Sequence, residues 1–178
     1  FSGDDRGVLD SEAVAEATQR FAELSPATRE ILVPYLIPPV YAGSWYDLRR
    51  RSAAPAHLST APSGNIIDRC GELAQGLLVP LGSEHFVVWY PPFDTRFAER
   101  ATQISADLER RIYPILTELF REPLGDAGLG CNPGDGRLDI YMVHDPTSKS
   151  EGVVATVSTY PGKGCGAAPT YMQVLEEH

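Results

Sequence analysis

Few residues in this 178-residue chain could do chemistry, and their spacing excludes most of it. The four histidines, His57, His85, His144 and His178, stand far apart. No two lie four apart on a helix, and neither HExxH nor CxxC occurs, so the chain encodes no preassembled metal site. A histidine at a strand end, such as His85 or His144, reads as a hydrogen-bonded surface group. A Cys165, His144 and Asp145 nucleophile set can be written down, but nothing in the sequence ties its members together. There is no GxSxG elbow, and Gly162-Lys163-Gly164-Cys165-Gly166 lacks the residues of a phosphate loop. Glu84, Asp139 and Glu151 could be grouped as glycosidase carboxylates, yet any acidic chain offers such groupings.

The stretch NPGDGRLDIYMV over residues 132–143 invites a calcium reading. With Gly136 as the loop glycine, Leu138 takes the apolar eighth position, but positions one, three and twelve become Cys131, Pro133 and Met142. An EF-hand needs oxygen ligands there, so this is not one. A looser site would use Asn132, Asp135 and Asp139. The plainer reading is a turn in which Gly134 and Gly136 accept positive φ and Asp135 caps the entry to a strand.

The elements that must position these residues follow from periodicity. Ser11 caps a short amphipathic helix over about 11–24, and Ser25-Pro26 opens a second, with Ile31, Leu32 and Tyr35 as its apolar face and Pro38-Pro39 as its end. Pro34 should shorten or kink it. Residues 40–66 have no sustained period and read as an extended connector carrying Trp45, Tyr46 and the basic triplet Arg49-Arg50-Arg51, a solvated linker or processing site. His85-Phe-Val-Val-Trp-Tyr90 is apolar on both faces and belongs at the centre of a sheet. Asp94 then caps a long helix with the stripe Phe97, Ala101, Ile104, Leu108, Ile112, Ile115 and Leu119, in which Pro114 should bend the helix without moving the stripe. Strand signals return at Leu138–Val143, Val153–Tyr160 and Thr170–Leu175. This order predicts an α+β fold, a mixed sheet backed by one long helix, with a helical head and connector over 1–66 and the sheet domain over 67–178.

Composition narrows the class further. An apolar fraction of 43% with 22% charged residues is that of a globular chain, and no apolar run is long enough to span a bilayer. A net charge of −9 argues against nucleic acid, whose phosphates call for clustered cations. The chain opens FSGDDRG, with neither the basic nor the apolar region of a signal peptide, as expected of a cytosolic protein or of one read from beyond its export signal. Cys70, Cys131 and Cys165 allow one pair at most; Cys131 and Cys165 lie in Gly-rich turns and are either a hairpin-clamping disulfide or two buried thiols.

In HFVVWYPP, the helix after it, PLGDAGLGCNPGDGRLDIYMV and GCGAAPTYMQV, the chain resembles the upstream half of the catalytic domain of bacterial secreted zinc metallopeptidases of the HExxH, gluzincin-like kind, over about residues 80–175. In that family a mixed sheet with a backing helix leads into the helix that carries HExxH. The resemblance implies zinc for the full-length protein, a peptide or protein substrate, and a secreted or cell-surface location. It also implies an edge strand that pairs with extended peptide, best matched by Val153, Val154, Ala155, Thr156, Val157, Ser158 and Thr159. Residues 1–66 would be a pro-segment or leader subdomain. No zinc ligand or general base carries over, because His178 has no partner four residues on, so these residues alone are expected not to hydrolyse peptides. The alternative is a complete, non-catalytic exported α+β module that binds through its sheet edge or through Trp45 and Tyr46. An exported protein would hold Cys131–Cys165 as a disulfide, stabilising the fold by roughly 3–4 kcal/mol in the chain-entropy model. Intact mass under non-reducing conditions should then fall short of the reduced chain by two hydrogens; equal masses would mean free thiols.

Overall fold

The computed structural model describes residues 20–52, 72–120, 122, 135–143, 153–154 and 172–175. Its elements are a 3₁₀ turn Phe21–Glu23, α1 (Pro26–Leu36), α2 (Trp45–Ser52), β1 (Val79–Gly82), β2 (Phe86–Tyr90), α3 (Thr95–Asp107), a π turn Leu108–Ile112, α4 (Tyr113–Phe120), β3 (Leu138–Val143), β4 (Val153–Val154) and β5 (Met172–Leu175). The strands form one five-stranded mixed sheet in the order β1-β2-β3-β5-β4. β2, β3 and β5 run parallel, while β1 and β4 pair antiparallel as the two edges. The architecture is α+β. Among the described residues no helix is long and apolar enough to cross a membrane.

β2 is an interior strand, paired with β1 on one side and β3 on the other, although the middle of the sheet is β3. Phe86 and Val88 point to one face, and Val87 and Trp89 to the other; all four are buried. The first face packs with Ile140 and Met142 of β3 against Phe97, Ala101 and Leu108. The helix that carries them starts where Asp94 accepts a hydrogen bond from the Arg96 N–H, 2.9 Å. The second face packs Val87, Trp89, Tyr141 and Val143 against Phe21, Val33, Ile37, Val40, Tyr41 and Tyr46. The head therefore shares a core with the sheet, across the sequence division drawn at residue 66.

Several expectations need correction. The connector is not extended throughout, because α2 forms within it. The Ser44 hydroxyl accepts from the Asp47 N–H at 3.2 Å and donates to the Pro39 carbonyl at 2.9 Å, while Asp47 accepts from the Gly43 N–H at 2.7 Å. This reciprocal capping starts the helix and satisfies amides that would otherwise be buried unpaired. Tyr46 is buried, which removes it as an exposed recognition residue, and Arg49-Arg50-Arg51 form the last helical turn rather than a linker. Arg51 pairs with Asp47 at 2.8 Å, and the Arg50 guanidinium lies 5.3 Å from the centre of the Phe93 ring. In α1 the Ser25 cap on the Thr28 N–H holds at 3.1 Å and the helix runs through Pro34, but Ile31 and Tyr35 are 69% and 42% exposed and Val33 faces the core instead.

The long helix departs most from its predicted form. Phe97, Ala101 and Leu108 of the apolar stripe are buried and Ile104 is half-buried, yet Ile112, Ile115 and Leu119 are 43%, 55% and 66% exposed. The cause is the π turn, in which the Tyr113 N–H reaches back to the Leu108 carbonyl. One residue added to a turn rotates everything after it by about 100°. Tyr113 and Leu116 accordingly come half-buried where Ile112 and Ile115 were expected. Pro114 supplies the reason: in an unbroken α-helix it would remove a hydrogen bond and clash with the preceding turn, at about 3 kcal/mol.

Replacing Tyr46 by Ala should cost about 3 kcal/mol, since it empties a fully enclosed aromatic site. In urea unfolding followed through Trp45 and Trp89, both signals should shift together. A shift confined to Trp45 would mean that the head unfolds independently.

Candidate functional site

Two places in the described residues could support function, one made of backbone and the other of side chains. The backbone feature is the pair of sheet edges. β1 carries Pro80 opposite Trp89, and a proline in an edge strand removes a donor that an incoming strand would use. β4 pairs through Val153 with Val174 and through Val154 with Gln173, and it has no proline. Among the described residues no strand pairs with its outer side. Of the predicted substrate strand, Val153 and Val154 lie on this edge; Ala155, Thr156, Val157, Ser158 and Thr159 lie outside the described residues.

The side-chain feature joins the start of β2 to the π turn. The Glu109 carboxylate accepts from the His85 backbone N–H at 2.7 Å and from the His85 Nδ1 at 2.8 Å. Tyr113 stacks on the imidazole with ring centres 3.7 Å apart and planes 19° apart, and it meets Phe86 edge-on at 5.9 Å. Nδ1 is committed to the carboxylate, so Nε2 is the free nitrogen; Glu84 stands 4.0 Å from it. Such a carboxylate fixes the tautomer and the orientation of the ring.

Burial acts to raise the Glu109 pKa, but hydrogen bonds from the His85 N–H, the Ser83 side chain and the His85 ring, with the attraction of that ring, outweigh it and bring the value down to about 2. Burial, together with Glu122, Glu109 and Glu84, pushes the Tyr113 phenol up. The cluster therefore holds a fixed anion beneath an oriented imidazole. It presents an oriented Nε2, and the Ser83 side chain hydrogen-bonds to the same carboxylate. Sequence reasoning finds His85 but not its partners. Glu109 lies 24 residues away, and only the π turn brings it and Tyr113 onto one ring.

Of the looser calcium set, Asp135 and Asp139 are described and each is engaged by other partners. Asp139 is buried and accepts from the Trp89 indole N–H at 2.6 Å, whereas Asp135 accepts from the Arg137 N–H and Nε, both at 3.0 Å. The Asp135 cap and Gly136, at φ 84°, make the turn into β3 that the sequence predicts. Asn132, Cys131, Cys165, Cys70, His57, His144 and His178 lie outside the described residues. Among the described residues, no three His, Cys, Asp or Glu side chains are grouped so as to hold a metal ion. A shallow open groove of about 520 Å³ runs between α2 and residues 72–77, with Asp47, Arg50, Arg51 and Glu72 on its walls. Its charges are mixed, and Arg51 is engaged by Asp47.

No protein-family model, no curated protein and no solved structure matches this chain.

Glu109 stabilises the fold while it stays ionised. Its folded pKa lies below the ordinary 4.5, so that contribution is complete above about pH 4.5 and is lost as pH falls towards 2. Glu109→Gln should therefore be least stable relative to wild type at neutral pH, with the gap in urea midpoint closing as pH falls from 5 to 2. A gap that does not change with pH would show that the charge plays no part.

Proposed function

We propose that this chain is the sheet-bearing, N-terminal part of an exported zinc-metallopeptidase-like protein, and that the outer side of β4 is where it pairs with an extended peptide substrate. The carrying observation is the form of the sheet: three parallel central strands backed by the α3–α4 helix, with an antiparallel edge strand free of proline beyond β5. A strand, a long helix and then three strands is the order in which a zincin sheet leads to its HExxH helix, and β2, α3–α4, β3, β4 and β5 follow it. Peptide added to an edge is held by main-chain hydrogen bonds, so this reading asks little of the side chains on β4.

In this reading the zinc-binding residues lie downstream of β5. None of the described residues is assigned to the metal, because none forms a suitable group, and no chemical step is derived through it. A metal in an HExxH site would supply Lewis acidity and an activated water. The part played by the described residues is to present an ordered strand edge at a fixed distance from that helix.

The coding sequence provides the first test. Continued past His178, it should encode HExxH on a helical pattern within a few tens of residues; a stop codon there would leave a non-catalytic binding module instead. The second test is made on the edge itself. Adjacent residues of an antiparallel edge strand direct their N–H groups to opposite sides. Of Val153→Pro and Val154→Pro, one should break the ladder to β5 and lower stability. The other should leave stability near wild type and weaken peptide binding about tenfold, the loss expected for roughly one hydrogen bond. If neither substitution affects peptide binding, β4 is not the docking edge.

A further inference from the structure

The amino-acid pattern of the long helix and its observed register disagree by one residue, and the disagreement is confined to residues after Leu108. Upstream, Phe97, Ala101 and Leu108 are buried as a continuous α-helical stripe requires. Downstream, the same spacing continues through Ile112, Ile115 and Leu119, but all three are exposed. Tyr113 and Leu116 occupy the inward positions instead. Two interactions hold this arrangement. Pro114 has no N–H for an α-helical bond, and the wide turn that ends in the Tyr113 N–H to Leu108 carbonyl contact avoids the need for one. Tyr113, once turned inward, stacks on His85, whose ring is fixed by Glu109 from within the π turn itself.

We propose that residues 108–120 are a two-register helical segment. Pro114 and the Tyr113–His85 stack hold it in the π register, which turns Ile112, Ile115 and Leu119 outward. The alternative is an unbroken α-helix that returns those side chains to the sheet face and withdraws Tyr113 from the imidazole. Covering of His85 and exposure of the apolar stripe are thereby coupled: each register provides one surface and hides the other. Anything that binds one of these surfaces shifts the segment towards the register that displays it, by no more than its preference for that register. This inference concerns the start of β2 and the π turn rather than β4, and it stands whether or not the peptidase reading holds.

Releasing either lock tests it in the full chain. In the wild-type protein, the Tyr113 ring current should shift the His85 ring protons upfield in NMR spectra, and a soluble paramagnetic probe should broaden the methyl signals of Ile112, Ile115 and Leu119. In Pro114→Ala the upfield shift should be lost, and those methyls should become as shielded as Leu108 and Ile140. Tyr113→Ala, which removes the other lock, should shield the same methyls. Methyls that stay accessible in every folded variant would overturn the proposal. So would unfolding of both variants, because a segment with a second register needs neither lock in order to fold.

Discussion

Burial of both faces of β2 is the constraint on which the rest of the structure depends. Phe86, Val87, Val88 and Trp89 alternate across the sheet, and each is enclosed. A strand of this kind cannot face water on either side, so two helical layers have to meet it. α3 covers Phe86 and Val88, and the head covers Val87 and Trp89. The stack of Trp89 on Tyr141, with ring centres 6.1 Å apart and planes nearly parallel, ties the second face together across β2 and β3. Asp139 of β3 accepts a hydrogen bond from the Trp89 indole of β2 across the two strands. This dependence makes the head part of the core, which is an unusual position for a removable pro-segment.

Local chemistry is the part of the fold that the sequence makes legible. Ser25-Pro26 and Asp94 are helix starts because their side chains accept from amides that the helix leaves open, and both do so here. Asp135 and Gly136 make a turn for equally local reasons. β2 declares its interior position, buried on both faces, by being apolar at every residue. β1 escapes such a reading because Pro80 and Gly82 suggest a turn, and the strand is ordered by its pairing with β2. α2 escapes it because the Ser44-x-x-Asp47 signal sits among Pro, Ser, Ala and Gly residues that blur any period. The apolar stripe predicts burial correctly to Leu108 and wrongly beyond it, because periodicity alone does not register a single-residue insertion into a turn. The His85 cluster depends on that same insertion and so cannot be seen from any one segment.

The functional reading rests on the surfaces that the two helical layers leave uncovered. With both faces of β2 and β3 occupied, the edges of the described sheet are where backbone can still bond. Pro80 dulls one edge, and β4 forms the other. A peptidase-like use of β4 and a simple binding use demand the same geometry, and they differ only in the residues downstream of β5. The His85 cluster lies elsewhere, at the junction of β2 with the π turn. There an ionised carboxylate and an aromatic ring hold one imidazole in a defined orientation.

The most direct measurement of the central claim is the behaviour of residues 72–178 expressed without the head. With Val87, Trp89, Tyr141 and Val143 stripped of their covering layer, the account predicts a chain that aggregates or binds hydrophobic dye and lacks the near-ultraviolet circular dichroism of packed aromatic rings. A soluble monomer that unfolds cooperatively, with a native-like aromatic signal, would contradict it.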